Sequence, residues 1–376
     1  MATPSIKTTV VGSYPIIDWL VAAPSKQALE DATAVVLKTQ ELAGLDLIAD
    51  GELYRFDVNH PETNGMIEYF VRPLQGVRAE ISFSEWIEYS RGAATRFRTR
   101  PPGVVEGPIG AGALNLPVAC ARARALASRP FKFTLTGPHM LAKMLHDRHY
   151  RDPEKLAHAI ADVLAEQVRH LDADVVQVDE ANLPGHPAEW RWAAAAMNKV
   201  LQAVPAKARA AVHLCFGNYG GQSIQKGGWA MLLEYLNALS VDHIVMEQAH
   251  RPTEELGVFR DLRPEIGLGL GVGLVGQVTV NGLTYWAIQR FGRKIYSPLV
   301  IRNMAVPLAN FGSNFCWILL ILGILFSAPK LILGGVSTDA RVFGTTNIEG
   351  FCTDDVGVHY MELWIGDDRV LAVDGP

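Results

Sequence analysis

The chain has 376 residues, 49% of them hydrophobic and 19% charged, which suits a globular protein able to bury a large core in one elaborated α/β barrel or two domains. A formal net charge of −5 excludes the basic excess that a nucleic-acid surface needs, so the partner is expected to be a small molecule. Four cysteines, Cys120, Cys215, Cys316 and Cys352, are too sparse and too separated for a disulfide framework, which leaves them available as metal ligands. Met1 to Lys7 has no apolar core of a targeting segment, and a reducing cytoplasm is the expected location.

In chain order, Thr8-Thr-Val-Val11 reads as a first strand closed by Gly12-Ser-Tyr-Pro15. Ser25 to Leu42 has helical spacing behind an N-cap serine, and Leu45 to Glu52 reads as a strand delivering acids at its C-terminal end. Residues 54–130 have weaker periodicity and many glycines, prolines and arginines, which predicts an insertion or lid on the barrel. Order returns with the strand Phe131–Thr136 and a helix from Asp152 to Leu171 with Pro153 in its first turn. The strand Asp174–Glu180, a helix over Trp190–Ala203 and the strand Ala211–Cys215 follow. A helix over Gly228–Leu239, the strand His243–Glu247 and a glycine-rich strand over Ile266–Val272 complete the readable pattern.

Strands that alternate with helices and end on polar residues predict an α/β fold, a (β/α)₈ TIM-type barrel over 1–376 with the insertion after strand 2 and the active site at the strands' C-terminal ends. Beyond about Val275 the charge density falls, and 276–376 is expected to be a divergent C-terminal region. The apolar run from Trp317 to Phe326 is shorter than the roughly 20 residues needed to span a bilayer, so no membrane partner is expected. A homo-oligomer is left open.

Alternation along Ala211–Cys215 puts His213 and Cys215 on one strand face, where an imidazole and a thiolate can reach one tetrahedral metal. The bland alternative is a barrel-strand histidine and a small buried thiol. The order Thr8-Thr-Val-Val-Gly-Ser-Tyr-Pro15, Asp50-Gly-Glu52, Thr134-Leu-Thr-Gly-Pro138, Val176-Gln-Val-Asp-Glu180, His213-Leu-Cys215, Glu247 and Gly267 resembles the cobalamin-independent methionine synthase superfamily. Within it, Asp50 to Phe70 and His213 to Gly221 look most like the epoxyalkane:coenzyme M transferases, or 2-hydroxypropyl-coenzyme M lyases.

That resemblance implies a zinc enzyme in which the thiolate of coenzyme M opens a short-chain epoxide. An alternative keeps the zinc and the thiolate but transfers a methyl group, as in methionine synthesis. Another is a defective, non-catalytic barrel, because the family's last zinc cysteine, in a Pro-Asp-Cys-Gly motif, has no counterpart. Implied metal positions are His213, Cys215 and Glu247, with Cys316, or the more distant Cys352, as the nearest substitutes for the missing cysteine. Glu247 is open between direct ligand, partner of a ligand and ion pair to Arg251. Opening an epoxide develops charge on oxygen, so a proton donor is required. Asp179 or Glu52 is the candidate, with Tyr14 and His60 as alternatives in the substrate pocket; the bland reading of Asp50, Glu52, Asp179 and Glu180 alike is a set of helix caps and ion pairs around the barrel mouth. A sulfonate needs cationic or N–H donors, for which Arg55 is the first candidate and Lys143 the second, a solvated surface arginine being the alternative for Arg55.

Overall fold

The computed structural model describes residues 7–57, 65–92, 100–219, 222–223, 225–248, 251–271, 360–365 and 368–374. Their contacts divide the chain into two compact units, Met1–Val272 and Gly273–Pro376. In the first unit the helices are α1 (Asp18–Ala22), α2 (Lys26–Leu42), α3 (Glu68–Val71), α4 (Phe83–Gly92), α5 (Leu116–Leu126), α6 (Pro138–Met144), α7 (Pro153–Val168), α8 (Trp190–Leu201) and α9 (Leu233–Ala238). Its strands are β1 (Ile48–Ala49), β2 (Gln75–Arg78), β3 (Val104–Gly110), β4 (Phe131–Thr136), β5 (His146–Asp147), β6 (Val175–Glu180), β7 (Arg209–Leu214), β8 (Asn218–Tyr219), β9 (Gln222–Ser223), β10 (His243–Glu247) and β11 (Gly267–Gly271). In the second unit, β12 (Tyr360–Ile365) and β13 (Asp368–Asp374) form an antiparallel pair.

Six strands form one parallel sheet in the order β1-β4-β6-β7-β10-β11, a curled half-barrel with helices in the crossovers. Alternation along the central strands divides the residues by chemistry. Phe131, Phe133, Leu135, Val176, Val178, Val212, Leu214, Ile244 and Met246 join the hydrophobic core with the helices. The intervening positions, Lys132, Thr134, Thr136, Gln177, Asp179 and His213, are polar and yet buried. The apolar face is turned outward onto the helices and the polar face inward, so the alternation separates the layer that packs on the helices from the inside of the curl. Each fully buried Val, Leu, Ile or Phe on the outer face contributes about 1.5–3 kcal/mol relative to exposure.

Local signals explain the flanking helices. Ser25 Oγ accepts from Ala28 N (3.0 Å) at the start of α2, as its sequence predicts. In α7, Asp152 Oδ1 accepts from the N–H groups of Glu154 (3.0 Å) and Lys155 (3.2 Å). Leu156, Ala157, Ile160, Ala161, Leu164 and Val168 then form its buried stripe.

Two expected strands are corrected. Thr8–Val11 makes only an isolated parallel bridge, Thr9 to Leu47. The carbonyls of Val10 and Val11 are taken by side chains: Lys132 Nζ donates to Val10 O, and Gln177 Nε2 donates to Val11 O (2.9 Å). The strand over Leu45–Glu52 shrinks to Ile48–Ala49 because Gly51 (φ 72°) and Glu52 (φ 62°) turn the chain into the left-handed region. The stretch 54–130 holds α3, β2, α4, β3 and α5, with β2 and β3 joined to β5 in a separate three-stranded sheet. The run at Trp317, and with it Cys316 and Cys352, lies outside the described residues. Among the described residues no helix is long and apolar enough to cross a membrane.

Replacing Asp152 by Ala removes the α7 cap and is expected to lower unfolding stability by about 1 kcal/mol, read from urea midpoints at unchanged m-value.

Candidate active site on the inner face of the half-barrel

Parallel register aligns the inner-face residues in rows. Thr134 pairs with Gln177, and Gln177 with Ala211. One step toward the C-terminal ends, Thr136, Asp179, His213 and Val245 lie side by side. The second row carries the chemistry.

Around Asp179 the polar groups form a buried network. Glu52 sits in the left-handed conformation because Asp50 Oδ1 accepts its N–H (2.8 Å), which aims its carboxylate inward. That carboxylate accepts from Thr134 Oγ1 (2.9 Å), Arg55 Nη1 (3.0 Å) and Ser13 Oγ. Gly12 makes the space, since a Cβ there would stand 2.3 Å from Glu52 Oε1. Arg55 also donates from Nη2 to Thr134 Oγ1 (3.0 Å) and from Nε to Tyr54 Oη (3.0 Å), and its Nη2 lies 3.9 Å from Asp179 Oδ2. Asp179 Oδ1 accepts from Gln177 Nε2 (2.8 Å), and Gln177 Oε1 accepts from Lys132 Nζ (2.9 Å).

Burial, reinforced by Glu52, pushes the Asp179 carboxyl up to about 7 against the opposing pull of Arg55 and Gln177. Burial pushes Lys132 down to about 8, with Asp179 and Glu52 opposing. Of the two acids expected to serve as proton donor, Glu52 receives three hydrogen-bond donors, whereas Asp179 receives one, from Gln177, and faces Arg55 across 3.9 Å.

The metal-capable donors lie at the adjoining strand ends. His213 Nδ1 lies 2.9 Å from Val245 O. A carbonyl only accepts, so Nδ1 carries the proton and Nε2 keeps its lone pair. Burial holds the ring neutral, with its pKa lowered to about 4. Cys215 follows directly on β7, its N–H continuing the ladder onto Glu180 O (3.3 Å), and is partly exposed. Glu247 Oε2 accepts from Phe216 N (3.1 Å), while its buried Oε1 has no hydrogen-bond partner. Imidazole nitrogen, thiol and orphaned carboxylate oxygen are a donor set suited to zinc. They do not form a closed cage: among the described residues no three His, Cys, Asp or Glu side chains converge tightly enough to hold a metal. Arg251 pairs with Glu255 (3.6 Å), not with Glu247.

The remaining candidates are distributed as follows. Arg55 is 4% exposed, so the solvated surface arginine is excluded, and its guanidinium is spent inside the protein on Glu52, Thr134 and Tyr54. Lys143 belongs to a different cluster: it donates to Glu189 (2.9 Å), whose other oxygen lies 2.8 Å from His139. Tyr14 packs against the small apolar cluster of Leu20, Ala32, Val36 and Leu53. Glu180 caps a turn and a helix, accepting from the N–H groups of Asn182 (2.7 Å), Leu183 (3.0 Å) and Met140 (3.1 Å), which is the capping role expected of it. His60 and Cys316 lie outside the described residues. Lys132, Thr134 and Gln177 were not singled out by sequence. The signal that could have found them is the polar alternate face of strands that a barrel buries on both sides.

A parallel α/β half-barrel with donors at its strand ends defines a class of barrel enzymes, and the comparisons with known proteins narrow it. Residues 6–281 match the family described as cobalamin-independent synthase, catalytic domain, and the chain belongs to that family. It is 27% identical over 285 residues to a methionine synthase of Sulfurisphaera tokodaii, covering 71% of this chain and 75% of that protein. It is 25% identical to a methionine synthase of Thermococcus kodakarensis, covering 72% and 77%. Among solved structures, the B12-independent methionine synthase from Shewanella sp. W3-18-1 in complex with selenomethionine superposes with a TM-score of 0.58 at 21% identity, covering 84% of this chain and 98% of that one. This last likeness supports the barrel-type fold.

Burial raises the carboxyl of Asp50, which is fully buried, from 3.8 to about 7. The folded state therefore binds this proton more tightly than the unfolded chain. The stability it contributes is fully present below about pH 4 and is lost as pH rises through 7. Asp50→Asn keeps an acceptor for the Glu52 N–H and is expected to flatten this decline, leaving the share due to Asp179. Urea midpoints at pH 5 and pH 8 that fall equally for both proteins would contradict it.

Proposed function

We propose that this protein transfers an alkyl group to a thiol, and that the group is a methyl, as in methionine synthesis. The observation that carries the reading is His213: its Nδ1 is tied to Val245 O, which frees Nε2 on a strand that also delivers Cys215, with the orphaned oxygen of Glu247 at the end of the neighbouring strand β10. His213 Nε2, Cys215 Sγ and Glu247 Oε1 are the donors that would hold Zn²⁺, once drawn closer together than they stand in this structure. When bound, zinc keeps a substrate thiol deprotonated at neutral pH while leaving a sulfur lone pair for attack.

In the transfer step the thiolate sulfur bonds to the methyl carbon as the carbon–donor bond breaks, and the electron pair leaves with the donor. That leaving group needs a proton, which Asp179 supplies from a carboxyl poised near pH 7. Arg55 and Gln177 hold the carboxyl in place, and the buried inner face keeps water from competing.

The second reading, coenzyme M thiolate opening an epoxide, rests on the resemblance of Asp50 to Phe70 and uses the same two parts, a thiolate and a proton donor for the developing alkoxide. The charges of the inner face support the methyl reading. Arg55 and Lys132 are already bonded to Glu52, Thr134 and Gln177, so a sulfonate would meet no uncommitted cation among them and would lie near the Asp179 carboxyl. Calorimetric titration with homocysteine and with coenzyme M separates the two: binding of coenzyme M alone would overturn the methyl reading.

His213→Ala and Cys215→Ala are each expected to reduce both zinc content and thiol alkylation by about a hundredfold or more with the helical circular dichroism retained. Zinc far below one per chain in the wild type, unchanged by Cys215→Ala, would remove both zinc readings. Asp179→Asn, with zinc retained, is expected to lower kcat by about 10²–10⁴.

A further inference from the structure

Next to the strand ends that carry Cys215 and Glu247 lies an arginine to which the zinc reading gives no role. The side chain of Arg251, just past the end of β10, is only 10% exposed. Its guanidinium carbon lies 3.2 Å from the centre of the Phe216 ring and 5.9 Å from that of Trp229. Phe216 and Trp229 are both fully buried and meet edge to face, with ring centres 4.6 Å apart. Arg251 Nη1 donates to Gly227 O and lies 3.6 Å from Glu255 Oε1, while the buried Nε has no hydrogen-bond partner.

A buried arginine is an unfavourable way to fill this space, since a leucine or methionine would cover the Phe216 ring without leaving an N–H unpaired. What the guanidinium adds is a flat cationic face whose attraction to the ring grows as water is excluded, and a charge that Glu255 can restrain. Glu255 is held in turn, because its Oε2 accepts from Trp229 N (3.2 Å). The segment bearing Arg251 is fixed to the end of β10 by Gln248, whose O accepts from Arg251 N (3.1 Å) and whose Nε2 donates to Pro252 O (3.0 Å). Gln248 Oε1 accepts from Trp229 Nε1 (3.3 Å), so rings, cation and strand end form one closed unit.

That unit reaches the metal-capable donors through Phe216. This residue follows Cys215 directly, and its N–H donates to Glu247 Oε2 (3.1 Å). Fixing the Phe216 ring therefore fixes the peptide between Cys215 and Phe216 together with the carboxylate bonded to it. Because the guanidinium pairs with Glu255 rather than with Glu247, the unbonded Oε1 of Glu247 stays open to a metal cation. We propose that Arg251 is a positioning residue for the zinc donors: stacked on Phe216 and restrained by Glu255, it sets how closely Cys215 and Glu247 can approach one metal. The inference rests on the proposed zinc role of these two residues and adds what holds them.

The test measures the Zn²⁺ affinity of the full-length protein by competition with a chromophoric chelator, independently of any activity. Arg251→Met and Phe216→Leu are each expected to weaken Zn²⁺ binding by about tenfold or more, as loss of a residue that orients metal ligands does. The double variant should bind no more weakly than the worse of the two, because both act through one stack. Arg251→Lys keeps a charge within reach of Glu255 but not the flat face, and is expected to lose affinity in the same direction. It takes the place of Arg251→Met should that variant not fold. Unchanged affinity in the Arg251 variants, or losses that multiply in the double variant, would overturn the proposal.

Two controls separate positioning from a general loss of stability and from failure of the zinc reading. Asp152→Ala removes the α7 cap without touching the stack and should leave Zn²⁺ affinity unchanged. An equal loss of affinity in that variant would reduce Arg251 to a structural role and sink the proposal. If the wild type binds no Zn²⁺, the zinc reading fails, and the crystal structure of Arg251→Met then decides the claim about Arg251. Phe216 N and Glu247 Oε2 moved out of hydrogen-bond reach would support it, and an unmoved pair would contradict it.

Discussion

A guanidinium buried between two carboxylates holds this half-barrel together at its mouth. Arg55 pairs with Glu52 at 3.0 Å and faces Asp179 at 3.9 Å, with Phe70 and Tyr54 rings within 5.1 and 5.3 Å of its centre. Removing an arginine from water costs several kcal/mol, which only close partners offset. Here the burial that lowers the affinity of Arg55 for its proton is outweighed by Glu52, Tyr54 and Asp179, and its pKa ends above the ordinary value. The clamp ties the turn after β1, which lies beyond the end of that strand's ladder, to Thr134 on β4 and Asp179 on β6. Taking away one partner of such a pair costs about 3–5 kcal/mol, because the other is left charged and dry. The site and the fold therefore share the same residues.

The polar inner face follows from a conflict between two demands. Six parallel strands must bury both faces, which usually selects continuous apolar runs. This sheet fills its outer face that way and gives its inner face to groups that satisfy one another, with Lys132, Gln177 and Asp179 forming one chain and Arg55, Glu52, Thr134 and Ser13 another. A half-satisfied network of this kind would cost more than an apolar core. The incomplete groups lie at or near the sheet's C-terminal edge, where Glu247 Oε1 is without a hydrogen bond and Asp179 Oδ2 has only the distant guanidinium. Those are the positions where a ligand can supply what the protein does not.

Much of this frame is legible in the sequence wherever the signal is local. The serine before Lys26 and the apolar stripe behind Asp152 report their helices because capping and burial act within a few residues. His243–Glu247 and Val175–Glu180 are readable because branched residues and terminal acids coincide in a short run. The failures are long-range. Thr8–Val11 has the composition of a strand, but its carbonyls are claimed by side chains 122 and 166 residues away, which no local pattern encodes. Arg55 reads as a sulfonate-binding candidate or a surface arginine because nothing near it in the chain announces Asp179. Lys132 and Thr134 were passed over because apolar–polar alternation ordinarily marks a strand with one wet face, and only closure of the sheet makes that face the interior.

The same reasoning bears on how one barrel could serve different thiols. Methyl transfer and epoxide opening share a thiolate and a proton, and the inner face separates these two duties in space. In the proposed reaction His213, Cys215 and Glu247 would address the sulfur, and Asp179, in the same register row as His213 and one inner-face position below Cys215 and Glu247, the proton. Because the cations near Asp179 are already bonded to protein groups, a change of thiol from one carrying an ammonium to one carrying a sulfonate requires more than a new contact. It requires releasing Arg55 from Glu52 or Lys132 from Gln177, and either release would undo the clamp or the chain that holds the proton donor. On the proposed reading, specificity for the thiol would be coupled to the stability of the barrel mouth through these two cations, and a shift in substrate charge would have to be matched by changes in Glu52 or Gln177.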